Sequence, residues 1–140
     1  MNSLRIANKN KNNGKPICIA KGDSAASHHY WREKDAKDLT EIEAIIGPEV
    51  QLPNDKFLKV TKQAQLPLHP ALSKQAKSAM ILPGLESVSL VLLGQLADDD
   101  CKIVLTNNQL VAIKDDKVIL TGTRNRKYGL WDIPIYKNNN

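Results

Sequence analysis

The apolar residues of this chain occur in short runs separated by turn-forming residues, and this spacing restricts the folds open to it. The clearest runs are residues 102–105, 110–113 and 117–120, with Asn or Asp residues between them. Short β-prone runs joined in this way predict a meander of hairpins, whereas helices need a sustained period of 3.6 residues. We therefore predict an all-β fold, a barrel or a sandwich, with at most a short helix or two.

Strand and turn signals are weaker in the first part of the chain. Residues 16–20 form a short apolar run that stops at Gly22, which predicts one strand followed by a polar bend over residues 23–31. The stretch 33–46 is polar and only partly periodic, so we expect no more than a short helix there.

A hairpin is predicted in the middle of the chain, and a mixed apolar segment follows it. β-prone runs at 50–52 and 57–60 flank four residues that favour turns, Pro53, Asn54, Asp55 and Lys56. The segment 85–96 is strongly apolar, and we expect a strand there that leads into a turn or a short helix.

Positive charge is concentrated near the amino terminus. The net charge of the 140-residue chain is +5, and residues 1–16 contain no acid and four basic residues, Arg5, Lys9, Lys11 and Lys15. We expect residues 1–16 to be a flexible basic linker and residues 136–140 to be a tail. Nucleic-acid binding is not expected of the folded part, because little excess charge and few aromatic residues remain there. The basic residues of segment 121–127 are accordingly expected to form a solvated loop.

Cysteine and histidine spacing indicates neither a metal site nor a disulfide framework. Cys18 and Cys101 lie far apart and are expected to be buried free thiols. The histidines lack ligand-like spacing, and Asp98-Asp99-Asp100 is expected to be a solvated turn, so no metal site is predicted. No apolar run approaches the roughly 20 residues of a membrane-spanning helix, and the amino-terminal residues lack the apolar core of a secretory signal.

Asp23-Ser24, placed after the first predicted strand and before small residues, is the arrangement in this chain that suggests catalysis. Peptide hydrolysis without a metal or a covalent intermediate uses two carboxylates, one taking a proton from water and one donating a proton to the substrate. Two carboxyl groups about 3 Å apart share a single proton. A short chain with one such turn can supply the pair only as a symmetric dimer. The structural alternative is a helix cap at Asp23-Ser24.

Three segments together resemble the protease region of Ty1/copia-like retrotransposon polyproteins, which are relatives of the retropepsins. Residues 23–29, Asp-Ser-Ala-Ala-Ser-His-His, are similar to the family signature Asp-Ser-Gly-Ala-Ser-x-His. Residues 81–96 resemble its Val-Pro-x-Leu and Leu-Leu-Ser-x-Gly-Gln-Leu stretch, with Leu92 where the pattern has Ser. Residues 125–135 resemble the Gly-Leu-Trp/Tyr segment that leads toward integrase in such polyproteins. Each motif is weak alone, and the resemblance depends on their order and spacing.

The resemblance implies a retropepsin-like closed barrel or sandwich over residues 17–105, followed by a β-hairpin extension at 106–135. It implies a homodimeric aspartic endopeptidase that needs no cofactor and cuts a Gag-Pol-type polyprotein in the cytoplasm or within virus-like particles. The expected partners are a second copy of the chain and peptide segments of its own polyprotein, with no membrane involved.

The resemblance also assigns roles to matching positions. Asp23 would be the catalytic carboxylate, and Ser24 would hold the two active-site turns together across the dimer. His29 matches the family histidine and is expected to be either a hydrogen-bonding boundary residue or part of the chemistry. Two further sets would contact the substrate: the flap tip Pro53, Asn54, Asp55 and Lys56, and the apolar-apolar-Gly segment Leu92, Leu93 and Gly94.

One site position departs from the family pattern, since Ala25 stands where the family has Gly. Glycine is used where φ is positive or where the backbone must approach another group closely. A methyl group that displaces the substrate by about 1 Å can lower the rate on the order of a hundredfold. The alternative function is therefore a catalytically inactive dimerising or spacer β-domain of the same polyprotein. A nucleic-acid-binding module ranks third.

Overall fold

The computed structural model describes residues 14–24, 28–52 and 55–137, and these residues are mostly in β-strands. The predicted all-β class is confirmed. The strands are β1 Cys18–Asp23, β2 His29–Arg32, β3 Thr40–Ala44, β4 Glu49–Gln51, β5 Phe57–Lys59, β6 Lys62–Gln65, β7 Ser78–Leu82, β8 Leu90–Leu92, β9 Lys102–Leu105, β10 Gln109–Lys114, β11 Lys117–Arg124 and β12 Trp131–Ile135. In the described part of the chain, α1 spans Leu93–Ala97, and 3₁₀ turns cover Glu33–Asp35 and Gln75–Lys77.

Ten strands form one sheet in the order β3-β6-β7-β2-β8-β1-β12-β11-β10-β9, and β4 and β5 form a separate hairpin. The closed barrel expected from the resemblance is not formed. Over the described residues the sheet ends at β3 and at β9, which do not pair with each other. Every residue of β3 is exposed, so this strand has no buried apolar face to bring it against the far edge.

Two strands lie where the sequence carries no strand signal. β2 lies within the expected polar bend, and β3 lies within the stretch expected to be a short helix at most. In β2, buried His29 and Trp31 alternate with half-buried Tyr30 and Arg32, a pattern too short to identify from the sequence. β3 owes its conformation to pairing with β6, since none of its side chains is buried.

The core lies against one face of the large sheet. Its fully buried members come from strands throughout the chain and from α1; they include Ala20, Trp31, Val91, Leu96, Leu110 and Ile133. A smaller cluster of Val60, Leu82 and Leu85 packs with hairpin residues Val50 and Leu58.

Residues 106–135, expected to be an extension, are continuous with the sheet of residues 17–105. β12 lies between β1 and β11 and pairs antiparallel with β1, from Cys18 opposite Ile135 to Gly22 opposite Trp131. The strands approach closely at Gly122, where a Cβ atom would lie 2.9 Å from the Asp132 carbonyl oxygen. Glycine at this position lets β11 and β12 pair.

The two cysteines are free thiols, Cys101 buried and Cys18 half-buried. Burial raises the pKa of Cys18 to about 12, so its thiol stays protonated and unreactive at neutral pH. Within the described residues, no helix combines the length and apolar character needed to cross a membrane.

We predict that a chain ending at Leu105 will not fold cooperatively, whereas one ending at Lys137 will. Truncation removes five large aliphatic side chains that are at most 7% exposed, Leu110, Ile119, Leu120, Ile133 and Ile135. Each such burial contributes about 1.5–3 kcal/mol, so their sum rivals the about 5–15 kcal/mol stability of an ordinary domain. Urea unfolding followed by near-ultraviolet circular dichroism measures the outcome, and a cooperative transition for the shorter chain would contradict it.

Candidate functional site

Asp23 is the last residue of β1, and strand pairing fixes its neighbours. β1 runs parallel to β8, with Gly22 opposite Val91 and Asp23 opposite Leu92, and the Lys21 N–H donates to the Ser89 carbonyl over 2.9 Å. Asp23 is half-buried and Ser24 is exposed. Ala25, the departure from the family pattern, lies outside the described residues. Asp23 was expected in a loop just after the first strand, and it is instead the last residue of that strand; among the described residues no helix begins there.

The segment Leu92-Leu93-Gly94 is brought beside Asp23 by the same pairing. Leu92 ends β8, and Leu93 begins α1, which leads toward β9. The Leu92 and Leu93 side chains are 0% and 5% exposed, and Gly94 is half-buried. In the single chain the two leucines therefore support the strand that carries Asp23, and their side chains are not open to a ligand.

The predicted hairpin is present as β4 and β5, with Gln51 opposite Phe57. At its tip the Leu52 N–H donates to the Lys56 carbonyl over 2.7 Å. Asp55 has a φ of 66° and is exposed, as is Lys56. Pro53 and Asn54 lie outside the described residues. Phe57 is 60% exposed, so the hairpin presents a large apolar side chain to its surroundings.

The hairpin and Asp23 lie on the same face of the large sheet. Residues paired across strands share a face, and Met80 pairs with Tyr30, Tyr30 with Leu90, and Leu90 with Lys21. Asp23 follows Lys21 by two positions, so it also shares that face. Tyr30 and Met80 pack against the small cluster that carries the hairpin. β4 and β5 therefore cover part of the face on which the Asp23 side chain lies.

His29, buried with 0% exposure, connects the site to the rest of the fold. Its Nδ1 accepts the Leu92 N–H over 2.9 Å, and its Nε2 lies 2.8 Å from the Ala76 carbonyl oxygen. A nitrogen that accepts from a backbone N–H carries no proton, so the ring is the neutral tautomer with its proton on Nε2, donated to Ala76. The backbone pairing of β2 with β8 consists of Tyr30 opposite Leu90. The His29 ring therefore accepts the Leu92 N–H at a position that lies beyond this pairing.

Gln95 of α1 extends the same network. Its Oε1 accepts the His29 backbone N–H over 2.8 Å, and its Nε2 donates to the carbonyls of Gln75 and Ser78 over 2.9 and 2.8 Å. Gln95 is 8% exposed, and its amide thus joins α1 to β2 and to the start of β7. The sequence contained one signal for it, a polar residue inside the apolar segment 85–96, and the prediction did not use that signal.

The segment between Asp23 and His29 is therefore joined at both ends to one residue. Asp23 precedes the segment and pairs with Leu92, and His29 follows it and accepts the Leu92 N–H through its ring. Fixing both ends limits the positions that the Asp23 carboxylate can reach, which is the structural requirement for a positioned catalytic group.

A second polar network holds the start of β8. Ser89, 0% exposed, donates from Oγ to Asp35 over 2.6 Å and accepts the Arg32 N–H over 3.0 Å. Arg32 also forms a two-point ion pair with Asp35 at 2.8 and 3.0 Å. Burial alone would raise the pKa of Asp35, but the Arg32 and Ser89 hydrogen bonds together lower it. This network keeps β8 in register beside β1.

The described residues include no group of three or more His, Cys, Asp or Glu side chains placed to hold a metal ion. Comparison with models of known protein families, with curated proteins and with solved structures found no match to this chain.

We predict that the neutral form of His29 makes folding stability depend on pH. Burial lowers the pKa of His29 from 6.5 to about 4, although the Ala76 hydrogen bond opposes this shift. The unfolded chain binds a proton near pH 6.5 and the folded chain only near pH 4, so stability is complete above 6.5 and falls as pH drops toward 4. The expected loss is about 3 kcal/mol.

Urea unfolding of the parent chain and of His29→Gln between pH 7 and pH 4 measures this effect. The variant is expected to be less stable at pH 7 but to lose less stability on acidification, because its side chain takes up no proton. Equal pH dependence in the parent and in His29→Gln would contradict the assignment.

Proposed function

We propose that this chain is an aspartic endopeptidase of the retropepsin type that processes a retrotransposon Gag-Pol-type polyprotein. The observation that supports the proposal most directly is the placement of Asp23. It ends a strand, pairs with the strand that leads into Leu93-Gly94 and α1, and shares a face with the β4–β5 hairpin. This is the arrangement that the sequence motifs imply.

The proposed chemistry uses two copies of Asp23, one from each subunit of a homodimer. One carboxylate takes a proton from a water molecule, and the other, protonated, donates to the carbonyl oxygen of the scissile bond. Ser24 is exposed beside Asp23 and would bind the partner turn through its hydroxyl group. No cofactor enters this mechanism.

The β4–β5 hairpin would close over the bound peptide. It forms a two-stranded sheet of its own, joined to the body of the protein through the small apolar cluster. Elements with few buried contacts open most readily, and lids are drawn from such elements. Exposed Phe57 would gain an apolar surface on closure.

The alternative is an inactive spacer domain, and Ala25 is the reason to retain it. The fold around the turn does not depend on catalysis, since His29, Leu92 and the Arg32–Asp35–Ser89 network are all structural contacts. A protein with an impaired site could therefore keep this fold and still act as a dimerising segment.

We predict that Ala25→Gly raises peptide cleavage at least tenfold, equivalent to about 1.4 kcal/mol of transition-state stabilisation. Asp23→Asn should abolish cleavage both in the parent chain and in the Ala25→Gly variant, because an amide cannot share the catalytic proton. The measurement is cleavage of a labelled peptide pool, with and without a transition-state inhibitor of aspartic proteases. Asp116→Asn, in the exposed β10–β11 turn, is the matched control and should leave the rate unchanged.

Three outcomes separate the two functions. Cleavage by both the parent and Ala25→Gly means that the departure is tolerated, and cleavage by the glycine variant alone means that this chain is a disabled protease. If neither cleaves although both are folded dimers, the enzyme proposal is wrong and the spacer function is favoured.

We predict that any activity depends on protein concentration and is highest in acid. Dilution separates the subunits and removes the shared site, so the rate per chain should fall. The proton shared by the two carboxyl groups is lost as pH rises, so the rate should fall in that direction as well. A rate per chain that stays constant over a thousandfold dilution would rule out a site shared between subunits.

A further inference from the structure

The loop that joins β11 to β12 carries basic and aromatic residues together. Segment 124–131 reads Arg-Asn-Arg-Lys-Tyr-Gly-Leu-Trp, with three cations and no acid. It follows directly from the β12–β1 pairing that the loop lies at the Asp23 end of β1, since Trp131 is opposite Gly22. The proposed protease chemistry uses none of these residues.

Cations lie close to the Tyr128 and Trp131 rings at this end of the sheet. Tyr128 is 63% exposed, and the Nζ atoms of Lys21 and Lys127 lie 5.8 and 5.5 Å from its ring centroid. The Arg124 guanidinium lies 5.8 Å from the centroid of Trp131. The two Tyr128 contacts form one surface. Arg124 and Trp131 pair with each other and with Gly22, so they lie on the opposite face of the sheet from Lys21.

The loop has a defined conformation set by Asn125. The Asn125 Oδ1 accepts the Lys127 N–H over 3.0 Å, and its backbone carbonyl accepts the Gly129 N–H over 2.7 Å. The Asn125 N–H donates to the Leu130 carbonyl over 2.7 Å. Gly129 takes a φ of 77°, a conformation that glycine adopts without strain. These hydrogen bonds fix the backbone of the loop, and Arg126, Lys127 and Tyr128 extend from it with exposed side chains, as expected of a solvated loop.

Asp132 does not neutralise the positive charge of this surface. Asp132 forms an ion pair with Lys21 and also accepts from the Asn125 side chain over 3.2 Å. Lys127 lies at the Tyr128 ring, and Arg126 is exposed on the same loop. The surface therefore combines net positive charge with an accessible ring.

We propose that this surface, formed by Lys21, Arg126, Lys127 and Tyr128, binds single-stranded nucleic acid. Its cations contact backbone phosphates, and the Tyr128 ring stacks on a base. Base–aromatic stacking is stronger than an exposed cation–ring contact, so a base displaces one lysine from the ring and leaves that lysine for a phosphate. An acidic peptide would satisfy the cations but would leave the exposed ring without a stacking partner, and a duplex would keep its base faces covered. Single strands fit both features.

The test is fluorescence anisotropy of the full-length chain with a labelled 12-nucleotide oligouridylate at several salt concentrations. We expect Tyr128→Ala to weaken binding about tenfold, whereas Tyr128→Phe, which keeps the ring, binds as the parent does. The double variant Arg126→Gln/Lys127→Gln should also weaken binding about tenfold and reduce the salt slope by about 1.4. The matched control is Lys102→Gln/Lys117→Gln, which removes two exposed lysines outside the loop and should bind as the parent does.

The basic amino-terminal residues need their own variant, because they can attract nucleic acid without the loop. Replacing Arg5, Lys9, Lys11 and Lys15 by Gln should lower affinity but leave the tenfold effect of Tyr128→Ala intact. Loss of all binding in that variant, or no effect of Tyr128→Ala, would overturn the proposal. Equal competition by polyglutamate would also overturn it and assign the surface to an acidic protein segment. Binding is measured independently of cleavage, so failure of either proposal leaves the other standing.

Discussion

The backbone of Leu92 is the point at which the chain around Asp23 is held. One side of this residue pairs with the strand that ends at Asp23, and its N–H on the other side is taken by the buried ring of His29. The segment between Asp23 and His29 includes Ser24 and Ala25, which the family resemblance assigns to the catalytic site together with Asp23. Without the ring, the β2–β8 ladder would leave a buried donor unpaired, which costs about 1–3 kcal/mol. The position of the candidate site thus depends on a histidine that does not have to touch a substrate.

The proposed carboxyl pair and His29 require opposite changes in pH. A pair of carboxyl groups that shares a proton works best in acid, whereas His29 must stay neutral to accept the Leu92 N–H. Burial moves the pKa of His29 down to about 4, which widens the acid range in which both conditions hold. Under the proposed mechanism, loss of the shared proton limits activity at high pH. Protonation of His29, which breaks its hydrogen bond with the Leu92 N–H, limits activity at low pH.

The sequence predicted those features that local patterns determine. The three hairpin strands of the last third were found because apolar runs alternate there with Asn and Asp, and β4–β5 was found from its turn residues. β2 and β3 were missed because they are short and owe their conformation to partners that are distant in sequence. The open sheet and the pairing of β12 with β1 could not be predicted, because no local pattern specifies which distant strands become neighbours. The same holds for His29, whose role becomes visible only when Leu92 and Ala76 are placed beside its ring.

The central position of β12 has a consequence for when the protein can act. β1 ends at residue 23, but the strand that covers its second edge begins at residue 131. Translation proceeds from the amino terminus, so one edge of β1 has no strand to pair with until almost the whole of this sequence has been synthesised. The chain order therefore delays completion of the sheet around Asp23 until residues 131–135 have been synthesised. Under the proposed function, processing would begin only after that point, and a cut between β9 and β12 would separate β12 from the strands that precede the cut.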